Sequence, residues 1–393
     1  MTASYFEFHC PVKILSGARA LENVPYELHR LGVSRPLLIT DFGVAKAGLL
    51  DLVTTAFQDS EAVVGAVFDQ VPADSSVSVV REAADVFRRG RCDSLVAVGG
   101  GSVIDTAKAV NILASHGGDD LLQFSGADRI QGPLKPLIVI PTTAGTGSEV
   151  THVAVIAHLQ KRVKMAFVSS HLYPNVAVLD PRMTQSLPKL LTAATAMDAL
   201  THAVEAYLSV QKNPLSDAYA TTAVRLIVKN LPRVLENGSN SAARLALADA
   251  ACCAGIAFSN AMVGMVHALG HATGALCRIH HGTAMNIFLP HGVEYNLERR
   301  RQAVGELLLS LGGRDVYAQT PNAVRAEKTI EVLRRFQARI GELSGLPTRL
   351  RDADVPLDML ETIAKAALND GAMLFNPEDM TLKEAMYVLQ RAY

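Results

Sequence analysis

The first half of the chain alternates short runs of β-branched and other apolar residues with longer stretches that repeat apolar residues at helical spacing. The strand-like runs are RPLLITD, AVVGAVFD, SLVAVGG, PLIVIPTT and NVAVLDP. The helix-like stretches between them include SVSVVREAADVFRRGR and SVIDTAKAVNILASH. Alternation of this kind is typical of a parallel sheet covered by helices. The pattern therefore predicts an α/β domain with a parallel sheet over residues 1–185.

Over residues 186–393 the strand-like runs almost disappear. Long Ala- and Leu-rich periodic stretches replace them, for example at residues 216–236 and 244–276. Pro188 suits the first turn of a helix and places the boundary between the halves near residues 180–186. We therefore expect an all-helical second domain, with the functional site in the cleft between the two domains.

Length and composition exclude several classes of protein. A chain of 393 residues is long enough for two domains of ordinary size. Its 37 basic and 38 acidic residues form no long run of either sign, so no binding to nucleic acid or to an anionic membrane is predicted. No run approaches the roughly 20 apolar residues of a membrane-spanning helix, and no leader sequence is evident. The five cysteines lack CxxC spacing and are expected to stay reduced, which favours a soluble, cytoplasmic protein.

The helical half contains the residue types of a catalytic metal site. They are one carboxylate and three imidazoles, Asp198, His202, His267 and His281. Asp198 and His202 are four residues apart in a helix-like stretch, so both side chains project from one face, and His267 and His271 repeat this spacing. A single helical histidine is more often a hydrogen-bonded core or surface residue, but the set together favours an ion. Iron, zinc, manganese and cobalt all suit these ligands.

Two small-residue loops follow predicted strands in the first half. The first loop contains Gly99, Gly100, Gly101 and Ser102. A glycine turn that leads into a helix presents free backbone N–H groups and the positive end of the helix dipole, which suits a pyrophosphate. The second loop, PTTAGTGSEV, contains Thr142, Thr143, Thr146 and Ser148, whose hydroxyls could bind phosphate, ribose or a carboxamide. Neither loop matches GxGxxG or a P-loop, and an ordinary tight turn or polar loop is the alternative for each.

Asp41 closes the predicted strand RPLLITD. Its carboxylate could accept hydrogen bonds from an adenosine ribose and repel a 2′-phosphate, which would favour NAD over NADP. In a standard Rossmann unit the acidic residue follows the glycines, whereas Asp41 precedes them by about sixty residues. This order predicts a Rossmann-like domain with a different nucleotide-binding topology. An Asp that only forms a turn at the strand end is the alternative.

Together these motifs resemble the iron-containing, group III alcohol dehydrogenase family. The resemblance rests on GGGSVIDTAK, PTTAGTGSEVT, VAVLDP, ATAMDALTHAVEAY and MVHALGHATGALCRIHHGTAMNIFLPHGVEYN, in the family's order and spacing. It implies that the four residues of the candidate ligand set hold Fe²⁺, with Zn²⁺ as the other possibility, and that Asp41 and the two loops bind NAD. It also implies that Lys164 and Leu179 line the nucleotide site.

The resemblance gives His271 a separate role, as a histidine beside the nicotinamide that is not a metal ligand. An imidazole can exchange a proton near neutral pH, so His271 is the candidate for proton relay between water and the substrate oxygen. The competing interpretation is that His271 only orients the cofactor through a hydrogen bond.

The chain departs from the family's pattern near these residues. His280 stands where proline usually precedes the ligand, so it could replace His281 as a ligand or face solvent. Cys277 lies between two of the histidines, and a redox or ligand role for it is conceivable. The candidates for the substrate pocket are His152, Phe258, Met373 and Phe375. The bulky apolar members are expected to narrow the pocket, and His152 could bind a second hydroxyl.

The resemblance implies a metal-dependent NAD(H) alcohol dehydrogenase or aldehyde reductase that acts on small primary alcohols, diols or their aldehydes, and that forms a homo-oligomer. Two alternatives fit the same residues. One is an NAD- and metal-dependent lyase of the dehydroquinate synthase type, in which the nucleotide is reduced and reoxidised within one turnover. The other is a non-catalytic nucleotide or metal sensor.

Overall fold

The structure of the chain is a computed structural model that describes residues 5–158 and 163–393. The chain divides into two compact units. The α/β unit spans Cys10–Leu187 and contains every strand in the part of the chain that the structure describes. The helical unit spans Pro188–Tyr393 and includes residues 5–9.

The α/β unit contains nine strands within its described residues. They are β1 (Lys13–Ser16), β2 (Pro36–Ile39), β3 (Ala66–Phe68), β4 (Ser94–Gly99), β5 (Gly126–Ala127), β6 (Leu137–Pro141), β7 (Val153–His158), β8 (Val163–Val168) and β9 (Val176–Leu179). Six of them form a parallel sheet in the order β1-β9-β6-β4-β2-β3. The other three form a small sheet in the order β5-β8-β7, in which β7 and β8 are antiparallel.

The five predicted strands all lie in the parallel sheet, so that prediction is confirmed. Every residue of β2, β4, β6 and β9 is buried, which explains why these runs are apolar without alternation. The pattern missed β1 because most of its residues are exposed at the edge of the sheet. It also missed the antiparallel pair β7 and β8, and the second sheet was therefore not predicted.

Five α-helices accompany these strands. They are α1 (Val24–Arg30), α2 (Phe42–Lys46), α3 (Leu49–Thr55), α4 (Val77–Arg89) and α5 (Gly101–His116). The two predicted helices are α4 and α5. One face of α4 buries Val80, Ala83 and Phe87, while its last turn carries two arginines that interact favourably with the helix dipole. In contrast, α5 is buried along most of its length.

The helical unit contains nine further α-helices. They are α6 (Lys189–Leu208), α7 (Pro214–Glu236), α8 (Ser241–Ser259), α9 (Met265–Cys277), α10 (His281–Tyr295), α11 (Leu297–Gln319), α12 (Arg325–Ser344), α13 (Leu360–Ala367) and α14 (Leu382–Ala392). Residues 188–393 are all described and contain no strand, so the prediction of an almost wholly helical second half is confirmed. Pro188 immediately precedes α6 and is its N-cap residue.

Short 3₁₀ helices connect these elements in both units. They span Ala20–Asn23, Leu122–Phe124, Ser148–Val150, Ser170–Leu172, Pro181–Met183, Asn322–Val324, Arg351–Ala353, Leu357–Met359 and Gly371–Phe375. Two of them carry candidate functional residues. The segment Ser148–Val150 closes the threonine-rich loop, and Gly371–Phe375 contains two of the candidate pocket residues.

The apolar stretch at residues 244–276 is divided between α8 and α9. The interruption includes Met262, whose backbone has a left-handed φ of 65° that a continuous helix cannot contain. By length and composition α8 could cross a membrane, but most of it is buried inside the helical unit. Its apolar character is therefore that of a core helix.

Residues 5–9 belong to the helical unit although they precede the α/β unit in the chain. The ring of Phe8 stacks on Tyr219 with centroids 5.9 Å apart. The backbone N–H of His9 donates to Asn260 Oδ1 (2.7 Å), and Asn260 Nδ2 donates to the His9 carbonyl (3.1 Å). The sequence pattern placed residues 5–9 with the first half because so short a segment has no periodicity that could assign it elsewhere.

Candidate metal centre and nucleotide loops

Four candidate nucleotide-binding residues lie at the carboxyl ends of neighbouring strands. Gly99 and Leu179 are the last residues of β4 and β9, Thr142 directly follows β6, and Asp41 is the second residue after β2. The four strands are adjacent in the order β9-β6-β4-β2 and run parallel. These residues therefore lie along one edge of the sheet, at the ends where open α/β sheets bind ligands.

The two small-residue loops contact each other at this edge. The backbone N–H of Thr142 donates to the Gly99 carbonyl (3.1 Å). A Cβ added to Gly101 would lie 2.9 Å from the methyl group of Thr146, so a larger residue could not occupy the first position of α5 without displacing the threonine loop. The structure thus brings both predicted loops to the N-terminus of a 16-residue helix. This end of the helix has the electrostatic character that favours a phosphate group.

Three predicted nucleotide residues, including Asp41, have partners within the protein. Asp41 is the N-cap of α2, where its Oδ1 accepts the Val44 N–H (2.9 Å), so the turn-forming role considered for it is present. The Ser102 hydroxyl donates to the Ala73 carbonyl. Lys164 Nζ pairs with the exposed Asp74 carboxylate at 3.1 Å. The partners of Ser102 and Lys164 could not be predicted from sequence patterns, because each contact depends on how the loops pack.

A buried polar network holds the threonine-rich loop in place. Lys108 in α5 is fully buried, and its Nζ donates to the Thr151 carbonyl (2.8 Å). The Ser148 hydroxyl donates to Asp105 Oδ1 (2.6 Å). Burial lowers the pKa of Lys108 to about 8, while the charge of Asp105 opposes this shift. No role was predicted for Asp105 or Lys108. Their spacing, one turn apart in an otherwise apolar helix, is the sequence signal from which this network could have been found.

Glu149 gives this network a pH dependence. Burial raises the pKa of its carboxyl to about 7, although its own backbone N–H and the charge of Lys108 oppose the rise. Between about pH 4.5 and pH 7 the folded protein therefore keeps Glu149 protonated while the unfolded chain ionises it. Unfolding releases a proton in this window, so the folded state loses stability as the pH rises through it.

We expect Glu149→Gln to remove this loss, because glutamine does not ionise. Relative to the parent protein, the variant should gain stability between about pH 5 and pH 8, by at most about 3 kcal/mol. Urea unfolding of both proteins at the two pH values measures the difference. The same difference in unfolding free energy at both pH values would contradict the prediction.

Three helices of the helical unit bring the candidate metal ligands together. Asp198 and His202 lie on α6, His267 on α9 and His281 at the start of α10. Asp198 Oδ1 is 3.3 Å from His281 Nε2 and 3.8 Å from His267 Nε2. One donor atom from each of these three residues falls within 4.8 Å of the others. His202 lies outside that group but next to it, with Nδ1 3.9 Å from Asp198 Oδ1.

The ring of His202 is held between two other rings. Its centroid lies 4.2 Å from that of Phe258 and 4.5 Å from that of His267. Phe258, a predicted pocket residue, therefore contacts a candidate metal ligand directly. Met373 and Phe375 are half-buried in the 3₁₀ helix Gly371–Phe375. The remaining predicted pocket residue, His152, belongs to the α/β unit, where its Nδ1 is 3.1 Å from the Tyr173 hydroxyl.

The donor atoms in this cluster fit a divalent cation. Asp198 Oδ1, His202 Nδ1 and His267 Nε2 are buried, and none of them has a hydrogen-bond partner in residues 5–158 or 163–393. Burying a polar atom without a partner costs free energy, which a bound cation would offset. Burial also lowers the pKa of His202 to about 3 and that of His267 well below its usual value. Both imidazoles are therefore neutral, as metal ligation requires.

His271 lies beside this cluster and has a carboxylate partner. Its ring stacks on His281 with centroids 5.4 Å apart. Its Nδ1 donates to Asp370 Oδ2 at 2.9 Å. Asp370 was not predicted as a site residue, because its contact with His271 joins positions 99 residues apart. His280 is exposed and is the N-cap residue of α10, while Cys277 is a half-buried free thiol at the end of α9.

Gly282 determines how closely α10 approaches α6. A Cβ at this position would overlap the backbone of Ala194, so any side chain must separate the two helices. We expect Gly282→Ala to destabilise the protein by about 1–3 kcal/mol and to lower its metal content, because the adjacent His281 moves with α10. Thermal unfolding and metal analysis test this. Gly371→Ala is the matched control, since no atom lies within 4 Å of a Cβ placed there.

Comparison with known families agrees with this arrangement. The model for iron-containing alcohol dehydrogenase matches residues 11–181, and the model for the C-terminal part of the Fe-containing alcohol dehydrogenase family matches residues 192–393. The chain belongs to the iron-containing alcohol dehydrogenase family. The family predicted from the motifs is thereby confirmed.

Individual members of the iron-containing alcohol dehydrogenase family match over the full length. The chain is 38% identical to 1,3-propanediol dehydrogenase from Klebsiella pneumoniae, with 100% of both chains covered. It is 33% identical to NAD-dependent methanol dehydrogenase from Bacillus methanolicus over 98% of this chain and 99% of that protein. A crystal structure of 1,3-propanediol oxidoreductase matches with a TM-score of 0.94 and 37% identity, over 99% of this chain and 100% of that one. The protein is thus an oxidoreductase of the alcohol dehydrogenase and aldehyde reductase type.

Proposed function

We propose that the protein is an NAD(H)-dependent alcohol dehydrogenase or aldehyde reductase that uses Fe²⁺ and acts on small primary alcohols, diols or their aldehydes. The observation that carries this proposal is the convergence of three buried donor atoms that have no hydrogen-bond partner among the described residues, Asp198 Oδ1, His202 Nδ1 and His267 Nε2. Zn²⁺ would suit the same donors.

The proposed metal ligands are Asp198, His202, His267 and His281. His202 is included although it stands outside the 4.8 Å group, because its buried Nδ1 lies as close to Asp198 Oδ1 as His267 does. A divalent ion held there would act as a Lewis acid toward the oxygen of an alcohol or aldehyde, and NAD would accept or supply the hydride.

His271 is the residue that we assign to proton transfer. Its Nδ1–H donates to Asp370, so Nε2 is the nitrogen that can take or return a proton at the substrate oxygen. The side chain is 46% exposed, which allows exchange of this proton with water. The Asp370 carboxylate fixes the orientation of the ring and its Nδ1–H tautomer.

The nucleotide site of the proposed enzyme is the sheet edge occupied by the two loops. The glycine turn at the start of α5 would receive the pyrophosphate, and the threonine loop would bind the nicotinamide half. Asp41 favours NAD over NADP, because its carboxylate would repel a 2′-phosphate. The name of the NAD-dependent methanol dehydrogenase relative supports the same choice. We assign Lys164 and Leu179 to this site as well.

Apolar side chains near the candidate ligands support small substrates. Phe258 stacks on His202, and Met373 and Phe375 follow Asp370 in the chain. The relatives named for 1,3-propanediol and methanol also favour short alcohols. We further propose a cytoplasmic homo-oligomer. Reduced cysteines favour the location, and exposed apolar side chains such as Leu374 favour association.

Anaerobic purification, metal analysis and NADH-linked assays on C2 to C4 alcohols, diols and aldehydes test the proposal. We expect stoichiometric metal and turnover that disappears on chelation and returns with iron or zinc. NADH should accumulate with a simple alcohol. Metal and NAD binding without net NADH formation would favour the lyase, and binding without any turnover would favour the sensor.

A further inference from the structure

Glu205 contacts the candidate ligand His267 on the side of the ring that faces away from the other donors. Glu205 lies on α6 and is buried. Its Oε2 lies 2.5 Å from His267 Nδ1, within hydrogen-bond distance. The other ring nitrogen, Nε2, is the one directed at Asp198 Oδ1. The two carboxylates of α6 therefore contact opposite nitrogens of one imidazole.

The same carboxylate also caps α9. Its Oε1 accepts the Val266 N–H (2.7 Å), and its Oε2 accepts the His267 N–H (3.3 Å). The backbone N–H groups of the first turn of a helix have no partner within the helix, so an acceptor from another element is required there. Glu205 thus contacts two backbone N–H groups of α9 and the ring of His267.

We propose that Glu205 is a positioning residue for the metal centre, which holds His267 in the Nδ1–H tautomer so that the Nε2 lone pair is directed at the ion. A carboxylate that accepts from the remote nitrogen of a ligating imidazole fixes its tautomer and raises its basicity. Glu205 lies seven residues after Asp198 and three after His202, so α6 presents all three on one face. This inference rests on the proposed metal ligands.

Capping of α9 alone is the competing explanation, and Glu205→Gln separates the two. Glutamine has nearly the same shape but only one acceptor. If its oxygen keeps the bond to the Val266 N–H, its NH₂ group faces His267 Nδ1 and disfavours the required tautomer. If the amide turned over, its NH₂ group would face the Val266 N–H, which cannot accept a hydrogen bond, so the first orientation is the favoured one. A cap-only role predicts lower stability with unchanged metal affinity.

Asn376→Ala provides the matched control for the cap. Asn376 Oδ1 accepts the Met265 N–H (3.3 Å) at the same helix end, but its hydrogen bonds go to residues other than His267. This variant should lower the melting temperature while it changes metal affinity by less than about threefold. His267→Ala, which removes the ligand itself, shows the metal content of a protein that has lost the site completely.

The experiment is chelator competition on the purified holoenzymes, with retained metal measured by elemental analysis and unfolding measured in parallel. We expect Glu205→Gln to bind the ion about 10–100-fold more weakly than the parent. The absorption bands of the cobalt-substituted protein should shift as well. Parent-like affinity in Glu205→Gln would overturn the inference and leave the proposed function intact. Absence of metal from the parent protein would instead refute the proposed ligand set.

A second variant keeps the test decisive if Glu205→Gln does not fold. Glu205→Asp retains the charge but shortens the reach to His267, so its metal affinity should also fall by at least tenfold while the folded protein remains measurable. A folded Glu205→Asp protein with the parent's affinity would equally overturn the inference.

Discussion

The His267→Ala variant should lose its metal and its turnover in both directions while it still binds NAD. His267 is buried on α9, and its Nε2 points at Asp198 Oδ1 without a hydrogen-bond partner in the described part of the chain. Removing this donor leaves a cavity in the ligand set, where water would be a weaker ligand than imidazole. The nucleotide loops belong to the other compact unit, Cys10–Leu187, so the affinity for NAD should stay within about threefold.

Metal analysis, NADH-linked assays and fluorescence titration with NADH measure these three properties separately. We expect metal content and turnover below detection. His291→Ala is the matched control, because His291 is also a histidine of the helical unit but lies on α10 outside the cluster. It should retain metal. A metal-free His267→Ala protein with normal turnover would refute the assignment of a catalytic metal.

The contrast between predicted and missed strands has a physical reason. The strands β4 and β6 are buried at every residue, so their sequences are apolar without interruption and stand out from their surroundings. The edge strand β1 is mostly exposed, and its sequence KILS carries no such signal. Local patterning therefore predicts the centre of this sheet better than its edge.

Local sequence patterning likewise predicts only some of the side-chain contacts in the metal cluster. Asp198 and His202 are one helical turn apart, so spacing alone predicts that they share a face. The approach of α9 and α10 to α6 was predicted from the types of residue in the candidate ligand set and from the family resemblance, because periodicity does not specify which helices meet. The contact of Glu205 with His267 spans 62 residues, and neither residue signals the other locally.

The sequence allowed both a ribose-binding and a turn-forming role for Asp41 but could not decide between them. Asp41 was predicted to bind ribose from its position at a strand end, and it occupies that position. Its Oδ1 nevertheless accepts the Val44 N–H, so one carboxylate oxygen already caps a helix. The sequence could identify the residue type and its location at the sheet edge, but not how many of its acceptors remain available to a ligand.

The His271→Ala variant should keep its metal but lose about 10²–10⁴-fold in kcat, the usual contribution of a general acid or base. His271 is stacked on His281 but donates its Nδ1–H to Asp370, outside the ligand set. Metal content should therefore be close to that of the parent. Because the side chain is 46% exposed, added imidazole can enter the vacated space and should restore part of the rate.

Steady-state kinetics with and without imidazole measure this effect, and NADH titration separates it from cofactor orientation. If His271 only orients the cofactor, its loss should weaken NADH binding and imidazole should not restore the rate. Asp370→Asn is a control that should cause a smaller loss of kcat than His271→Ala. It keeps the shape of the partner but can direct an NH₂ donor at His271 Nδ1, which disfavours the Nδ1–H tautomer, so kcat should fall by about tenfold with His271 still present. A parent-like kcat together with parent-like NADH affinity in His271→Ala would exclude both roles, whereas weak NADH binding without rescue would assign His271 to the cofactor site alone.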